Sequence, residues 1–426
     1  GEARSHWATM GFYTRLNWNY NNIYFLEFSG RYDGSSRFPK DSRFGFFPSV
    51  SAGWNIAQEG FMEGTSEWLG MLKLRGSYGM IGNQNIVEYA FIPSMTINNK
   101  YSGWLVDKNL VTAVTSLPSL VSSSFTWEKV GTANVGIDFS LFKNRLSGLF
   151  EWYQKDTKGM LAPGMQLPAV VGASAPYQNT ADMRTRGWEL NVNWRDQIGK
   201  WGYRVGFNLS DSKSEITKYD SNESKLLSSF YEGQQLGEIW GYVTEGLFKD
   251  QADIDSHADQ TLIQSSSKRI TYPGDVKIKD LNGDHVIDYG NNTVDDHGDK
   301  TVIGNALPRY AYSINLSGDW NNFFLSAFFQ GAGKQDWYPS SECIFWGQYN
   351  RPYNNMPTWH QGNYWTEDNT DAYLPRYAGY NASLKSTPQT RYLQNVAYIR
   401  LKNLQFGYTL PQPIVSKAKL QNVRVY

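Results

Sequence analysis

Four oxygen-bearing side chains, Asp280, Asn282, Asp284 and Asp288, stand at offsets 1, 3, 5 and 9 of one short acidic stretch. Such spacing can wrap a hard cation, and the carbonyl of Val286 at offset 7 would complete an oxygen set suited to Ca2+ or Mg2+. The stretch departs from a Ca2+-binding EF-hand loop at two places, His285 for the sixth-position Gly and Asn291 for the last-position Glu, and no helical pattern flanks it. The same residues also read as an Asx- and Gly-rich turn whose side chains cap their own backbone. The spacing leaves both readings open, a site for Ca2+ or Mg2+ and a self-capped turn, and no cofactor is required.

A second chemistry lies in tryptophans outside the regular stretches. Trp104, Trp240, Trp337, Trp346, Trp359 and Trp365 fall in long segments rich in Tyr, Asn, Asp and Gln. Flat aromatic faces beside planar amides can grip sugar rings or extended peptides through stacking and paired hydrogen bonds. Packing of one large loop on another uses the same residues, so each Trp has a structural reading beside its binding one.

Catalytic patterns are not found. The chain has no Gly-x-Ser-x-Gly elbow, and Gly331-Ala-Gly-Lys334 lacks the rest of a phosphate loop. His6, His257, His285, His297 and His360 have no zinc spacing, and Cys343 is the only cysteine. The expectation is a protein that is not an enzyme.

The elements that must carry these residues are strands. Phe12, Thr14, Leu16, Trp18 and Tyr20 alternate with polar neighbours, and a tight Asn21-Asn22 turn leads to a second alternating run, Tyr24 to Asp33. The signature recurs at 50–56, 72–78, 133–139, 146–152, 188–194, 203–209, 310–316, 323–329, 404–408 and 423–425, about twelve strands in all. Most match the roughly 9 to 11 residues of a tilted membrane strand. Short links near 21–22, 58–70, 142–144, 196–200, 319–322 and 409–420 alternate without exception with long ones at 34–46, 81–128, 156–184, 212–308 and 332–395. A sheet connected that way has a plain end and an elaborated end, as outer-membrane barrels do.

Composition agrees. Aromatic residues make up 15% of the 426-residue chain, and 40 basic residues cancel 40 acidic ones, so no nucleic-acid partner is expected. No apolar run approaches the about 18 residues of a membrane helix, which leaves a strand-built passage open. Trp and Tyr at strand ends, as in Trp18, Tyr20, Trp54, Trp152, Trp194, Trp201 and Trp320, match an interfacial girdle. The fold class is all-β, a transmembrane antiparallel β-barrel with long external loops.

Several sequence blocks carry a resemblance. They are Gly30-Arg-Tyr-Asp-Gly-Ser-Ser-Arg-Phe38, Gly45-Phe-Phe-Pro-Ser-Val-Ser-Ala-Gly-Trp54, Leu74-Arg-Gly-Ser-Tyr-Gly79 and Thr126-Trp-Glu-Lys129. The run from Asp275 to Asp288, Val302 to Tyr310, Phe328-Phe-Gln-Gly331 and Ile399 to Pro411 extend it. In that order they resemble the SusC/RagA-like TonB-dependent outer-membrane transporters over nearly the whole chain. The resemblance implies a barrel of about 22 strands with an N-terminal plug in the bacterial outer membrane, importing a glycan or peptide. It also implies energy from the TonB complex, a SusD-like surface lipoprotein as partner, and dimers of such transporter–lipoprotein pairs. Residues 1–426 would then be a C-terminal barrel portion without plug, N-terminal strands or closing strand. Two open edges would not survive in lipid alone, so the chain is expected to belong to a longer protein. The competing readings are a secreted all-β carbohydrate-binding protein or glycosidase, and a passive porin.

Overall fold

The structure, a computed structural model, describes residues 5–426 except 87, 96, 99–104, 107–108, 111–113, 116–117, 123–124, 166, 265–269, 340–343, 347–355, 378–386 and 422. Twelve strands form one antiparallel sheet in strict chain order. They are β1 (Thr9–Tyr20), β2 (Tyr24–Ser35), β3 (Phe44–Asn55), β4 (Leu69–Asn83), β5 (Glu128–Leu141) and β6 (Leu146–Pro163). β7 (Tyr177–Ile198), β8 (Trp201–Tyr219), β9 (Arg309–Trp320), β10 (Phe323–Lys334), β11 (Tyr398–Thr409) and β12 (Arg424–Val425) complete the sheet. Every alternating run anticipated from period two falls on one of these strands, with Ile56 and Val423 one residue beyond the ends of β3 and β12.

Tight turns join strands at the plain end. Asn21 and Asn22 take φ of 51° and 58°, and Asn321 and Asn322 take 45° and 74°. The two-residue loop at Asn321-Asn322 and the bend at Asn21-Asn22 within the loop 21–23 both carry the positive φ pair of a type I′ turn, which follows the strand twist and which Asn tolerates better than most residues.

Two expectations are corrected. The strands outrun the length needed to cross lipid, with 22 residues in β7 and 19 in β8, because pairing continues after the apolar alternation stops. The connections expected at 34–46 and 156–184 accordingly contract to 36–43 and 164–176, and loop length is not strictly sorted, since 36–43 is shorter than 56–68 at the plain end.

Register makes the two faces chemically distinct. Tyr20, Tyr24, Trp54, Leu74, Ile137, Phe150, Leu190, Leu209 and Tyr312 lie in one unbroken cross-strand row. Leu72 and Val192 fall on the same face, and Val135 and Leu404 are each 60% exposed there. No layer covers this face among the described residues, and an apolar expanse of that size is foreign to a soluble monomer. The reading as a secreted all-β carbohydrate-binding protein or glycosidase fails on that point. Rings rim the plain end: Trp201 stacks on Trp320 at 5.4 Å, while the Tyr24 hydroxyl and Trp54 Nε1 donate to Glu59 Oε1 at 2.6 and 2.7 Å. Amphipathic rings of this kind hold an apolar body in lipid and a polar tip in water.

The opposite face is polar and concave. Arg75 pairs with Asp138 at 3.3 Å and with Glu151, which also accepts from Asn134 Nδ2 at 2.6 Å. Further round, a hollow of about 890 Å³ is lined by Asn193, Arg195, Arg204, Asn315 and Asn403, from strands β7 to β11.

The buried apolar cores lie at the elaborated end, in its loops and, for Phe47, at the adjoining end of β3. One comprises Phe38, Phe47, Phe125 and Trp127; the larger gathers Tyr242, Leu247, Val276, Ile278, Ile287, Trp346, Leu374 and Tyr392. Each fully buried chain of this kind stabilises its loop by about 1.5–3 kcal/mol. These cores tie the described parts of the loops together.

Candidate functional site: an aromatic cleft at the elaborated end

The connection between β10 and β11 folds back on itself through a short antiparallel pair in which Trp337 faces Gln394. Trp359 sits on the 3₁₀ turn Thr358–His360. Between them opens a cleft of about 850 Å³ lined by Trp337, Phe345, Pro357, Trp359, Asn363, Tyr373 and Gln394. Its rims are open rings, with Trp337 42%, Trp359 40% and Tyr373 38% exposed.

Buried rings hold the exposed ones. Trp359 lies 5.3 Å from Phe345, Phe345 meets Trp346 edge to face at 4.9 Å, Trp346 meets Tyr392 at 5.0 Å, and Tyr392 meets Tyr373 at 5.5 Å. Trp346 Nε1 donates to the Pro339 carbonyl at 3.2 Å and the Tyr392 hydroxyl donates to the Tyr373 carbonyl at 3.1 Å, so both inner polar tips are satisfied. Burial pushes the Tyr392 phenol far above its ordinary range. Gln394 Nε2 donates to the Tyr373 hydroxyl at 3.0 Å, and Asn363 Nδ2 donates to the Trp359 carbonyl. Among the described residues the lining therefore presents aromatic faces and amides and no ionised group.

Of the six tryptophans singled out by sequence, Trp337 and Trp359 meet in this cleft, and Trp346 supports it from below without reaching solvent. Trp240 lies elsewhere. It donates from Nε1 to the Tyr231 hydroxyl at 3.0 Å and to Glu238 Oε1 at 2.9 Å, with the His297 ring 5.4 Å away. Burial raises the Glu238 carboxyl above its ordinary value, against the pull of that indole N–H. Trp365 packs against the large core and covers Gly274, where an added Cβ would stand 2.5 Å from its ring. Trp104 lies outside the described residues. Sequence reasoning missed Phe345, Tyr373, Asn363 and Gln394, and no local signal marks them, because they converge from well-separated parts of one connection.

The acidic stretch forms a chain of Asx turns. Asp280 accepts from the N–H groups of Gly283 at 2.6 Å and His285 at 2.9 Å; Asn282 accepts from Asp284 N at 3.0 Å and Asp284 from Val286 N at 2.8 Å. Asp288 accepts from Gly290 N at 2.9 Å, and its own N–H donates to buried Asp299 at 3.0 Å. Burial is the largest single influence on the Asp280 carboxyl and pushes it up, but the backbone donors of Gly283 and His285, with the His285 charge beside them, together hold it below its usual range. Among the described residues no three His, Cys, Asp or Glu side chains converge on a common point as metal ligands would. An ionised carboxylate offers about four lone-pair sites, so a bond to the backbone does not exhaust it.

Residues 3–404 match the family model described as TonB dependent receptor-like, beta-barrel. The chain is 29% identical over 427 residues to TonB-dependent receptor P3 of Formosa agariphila, covering 97% of this chain and 39% of that one. It is 32% identical over 212 residues to TonB-dependent receptor SusC of Bacteroides thetaiotaomicron, which covers 49% of this chain and 21% of SusC. In structure it resembles the RagAB peptide transporter with a TM-score of 0.72 at 23% identity, over 98% of this chain and 42% of that one. The chain thus spans about two fifths of the relatives it matches along its whole length.

Proposed function

The chain belongs to the TonB-dependent receptor-like β-barrel family, and on that premise we propose that it is the C-terminal barrel wall of an outer-membrane importer. What carries this reading is the division of one twelve-stranded sheet into an uncovered apolar face and a concave polar face, with large loops at one end. An apolar face of that kind suits lipid, and a polar concave face suits a water-filled path.

Cargo would first meet the cleft of Trp337, Phe345, Trp359 and Tyr373. Stacked rings with Asn363 and Gln394 beside them fit an uncharged oligosaccharide, because among the described residues no ionised side chain lines the cleft. An extended peptide is the competing cargo. Energy would come from TonB through the whole protein, and a SusD-like surface lipoprotein would close over the loops, two such pairs assembling as a dimer. The acidic turn at 280–288 would hold one Ca2+ or Mg2+ as a loop brace, using Asp280, Asn282, Asp284, the Val286 carbonyl and Asp288. No bond is made or broken by the chain in this role.

The deciding experiment measures uptake of labelled neutral oligosaccharides and of peptides by cells carrying or lacking the whole gene, with TonB intact or disabled. Gene- and TonB-dependent uptake of the oligosaccharide supports the reading in full. Uptake of peptide alone replaces the cargo, and uptake indifferent to TonB refutes an energised importer.

A further inference from the structure

Above the apolar band, at the elaborated end, the outer face of β6, β7 and β8 changes character in one step. Trp152 and Trp188 are cross-strand neighbours in the last aromatic row. In the next row outward, Gln154 neighbours Arg186, and Arg186 stands directly opposite Lys213. Alternation keeps Arg186 on the face of Trp188 and Lys213 on that of Leu209, so both side chains leave the sheet on the outer side. Both are exposed, and among the described residues neither has a carboxylate partner within 4.0 Å. Lys129 and Lys158 form a second directly opposed pair of cations on the same face of β5 and β6. Like charges directly opposite across an antiparallel pair are destabilising.

These side chains edge a built hollow. A recess of about 250 Å³ is lined by Trp152 and Trp188, by Arg184, Arg186, Lys213 and Arg309, and by Gln235 of the connection after β8. Two carboxylates, Asp211 and Glu215, also line it. Asp211 is already gripped by Arg309, and Arg184 is held by Asp156 at 2.6 Å; Arg186 Nε donates to the neutral Gln154 Oε1 at 2.9 Å, which leaves Arg186 and Lys213 as the lining cations without a carboxylate partner among the described residues. The comparable outer positions of β1 to β3 are apolar, Met10, Tyr32 and Phe44, so the cations form a local patch instead of a uniform collar.

We propose that this hollow binds the phosphate headgroup of a lipid in the leaflet at the elaborated end. A phosphate between Arg186 and Lys213 would turn their repulsion into two charge-assisted hydrogen bonds, while the acyl chains run down over Trp152, Trp188 and Phe150. The inference rests on the reading that the apolar face meets lipid.

The test uses the full-length protein in lipid nanodiscs made with a phosphate-bearing glycolipid or with the same glycolipid dephosphorylated. Native mass spectrometry after graded delipidation counts retained lipid, and heat-modifiable migration on gels reports barrel folding separately. Retention of the phosphorylated lipid should fall about fivefold for each cation removed in Arg186→Gln and Lys213→Gln, with the dephosphorylated lipid unaffected by either change. Equal retention of both lipids by the unaltered protein, or unchanged retention in the folded double variant, overturns the site. Displacement of the lipid by equimolar inorganic phosphate overturns it too, by showing a site for a free anion. Should the double variant fail to fold, the same comparison in Lys213→Gln alone decides. Loss of heat-modifiable migration in the unaltered protein would instead refute the barrel reading itself.

Discussion

Trp346 meets Tyr392 edge to face, with ring centroids 5.0 Å apart and planes inclined by 84°. Neither ring touches solvent appreciably, yet through Phe345 and Tyr373 they fix the open faces of Trp359 and the far rim of the cleft. Support and contact are thus divided between different aromatic residues of one connection.

That division predicts opposite behaviour for two tryptophans. Trp346→Ala should cost about 3–5 kcal/mol of local stability and abolish cargo binding together with it. Trp359→Ala should leave protease resistance of the 335–397 connection intact and weaken oligosaccharide affinity about three- to tenfold, the worth of one stacking contact. Limited proteolysis and calorimetric titration on the same preparations separate the two effects.

The faces of the sheet predict an asymmetric response to charge. Val135→Arg, on the apolar face, should destabilise the barrel in lipid by about 2–4 kcal/mol. Ser77→Lys, exposed on the polar face of β4, should stay within about 0.5 kcal/mol. Urea titrations of the full-length protein in vesicles would show the difference, and equal costs at both positions would contradict the assignment of faces.

Glu238 gives the loops a pH dependence of known sign. Its carboxyl is raised by burial, so the protonated form is favoured by folding. The stability it contributes is complete below its unfolded value and is lost as pH rises through the raised folded one. Hydrogen exchange at Gln235 and Trp240 should therefore quicken as pH rises through that window, after correction for intrinsic rates. Glu238→Gln should flatten the profile.

The acidic turn predicts a metal content. Elemental analysis of the full-length protein dialysed against Ca2+ or Mg2+ should find one ion that the double variant Asp280→Ala, Asp284→Ala lacks. A chelator should then raise protease cleavage near 280–288 in the unaltered protein only. The same metal content in both proteins would leave the stretch as the Asx turns that its backbone bonds already form.

The covalent order of residues was enough for all twelve strands, for which face of each is apolar, and for the Asn21-Asn22 turn. Side-chain period and turn chemistry are local properties, and a strand between lipid and water must express them residue by residue. Strand ends were another matter. Beyond Trp152 and Trp188 the outer positions become Gln154, Asp156, Arg184 and Arg186, so the apolar signal stops while backbone pairing runs on to Pro163 and back to Tyr177. Only the tertiary structure showed that continuation and the cationic recess it creates. The cleft was half legible: composition pointed to tryptophans in the loops, but it could not tell Trp359 from Trp346 or reveal Tyr373 and Gln394. Which ring is buried and which is open depends on contacts closed across a long connection, and those contacts are set by packing in three dimensions, which no local pattern encodes.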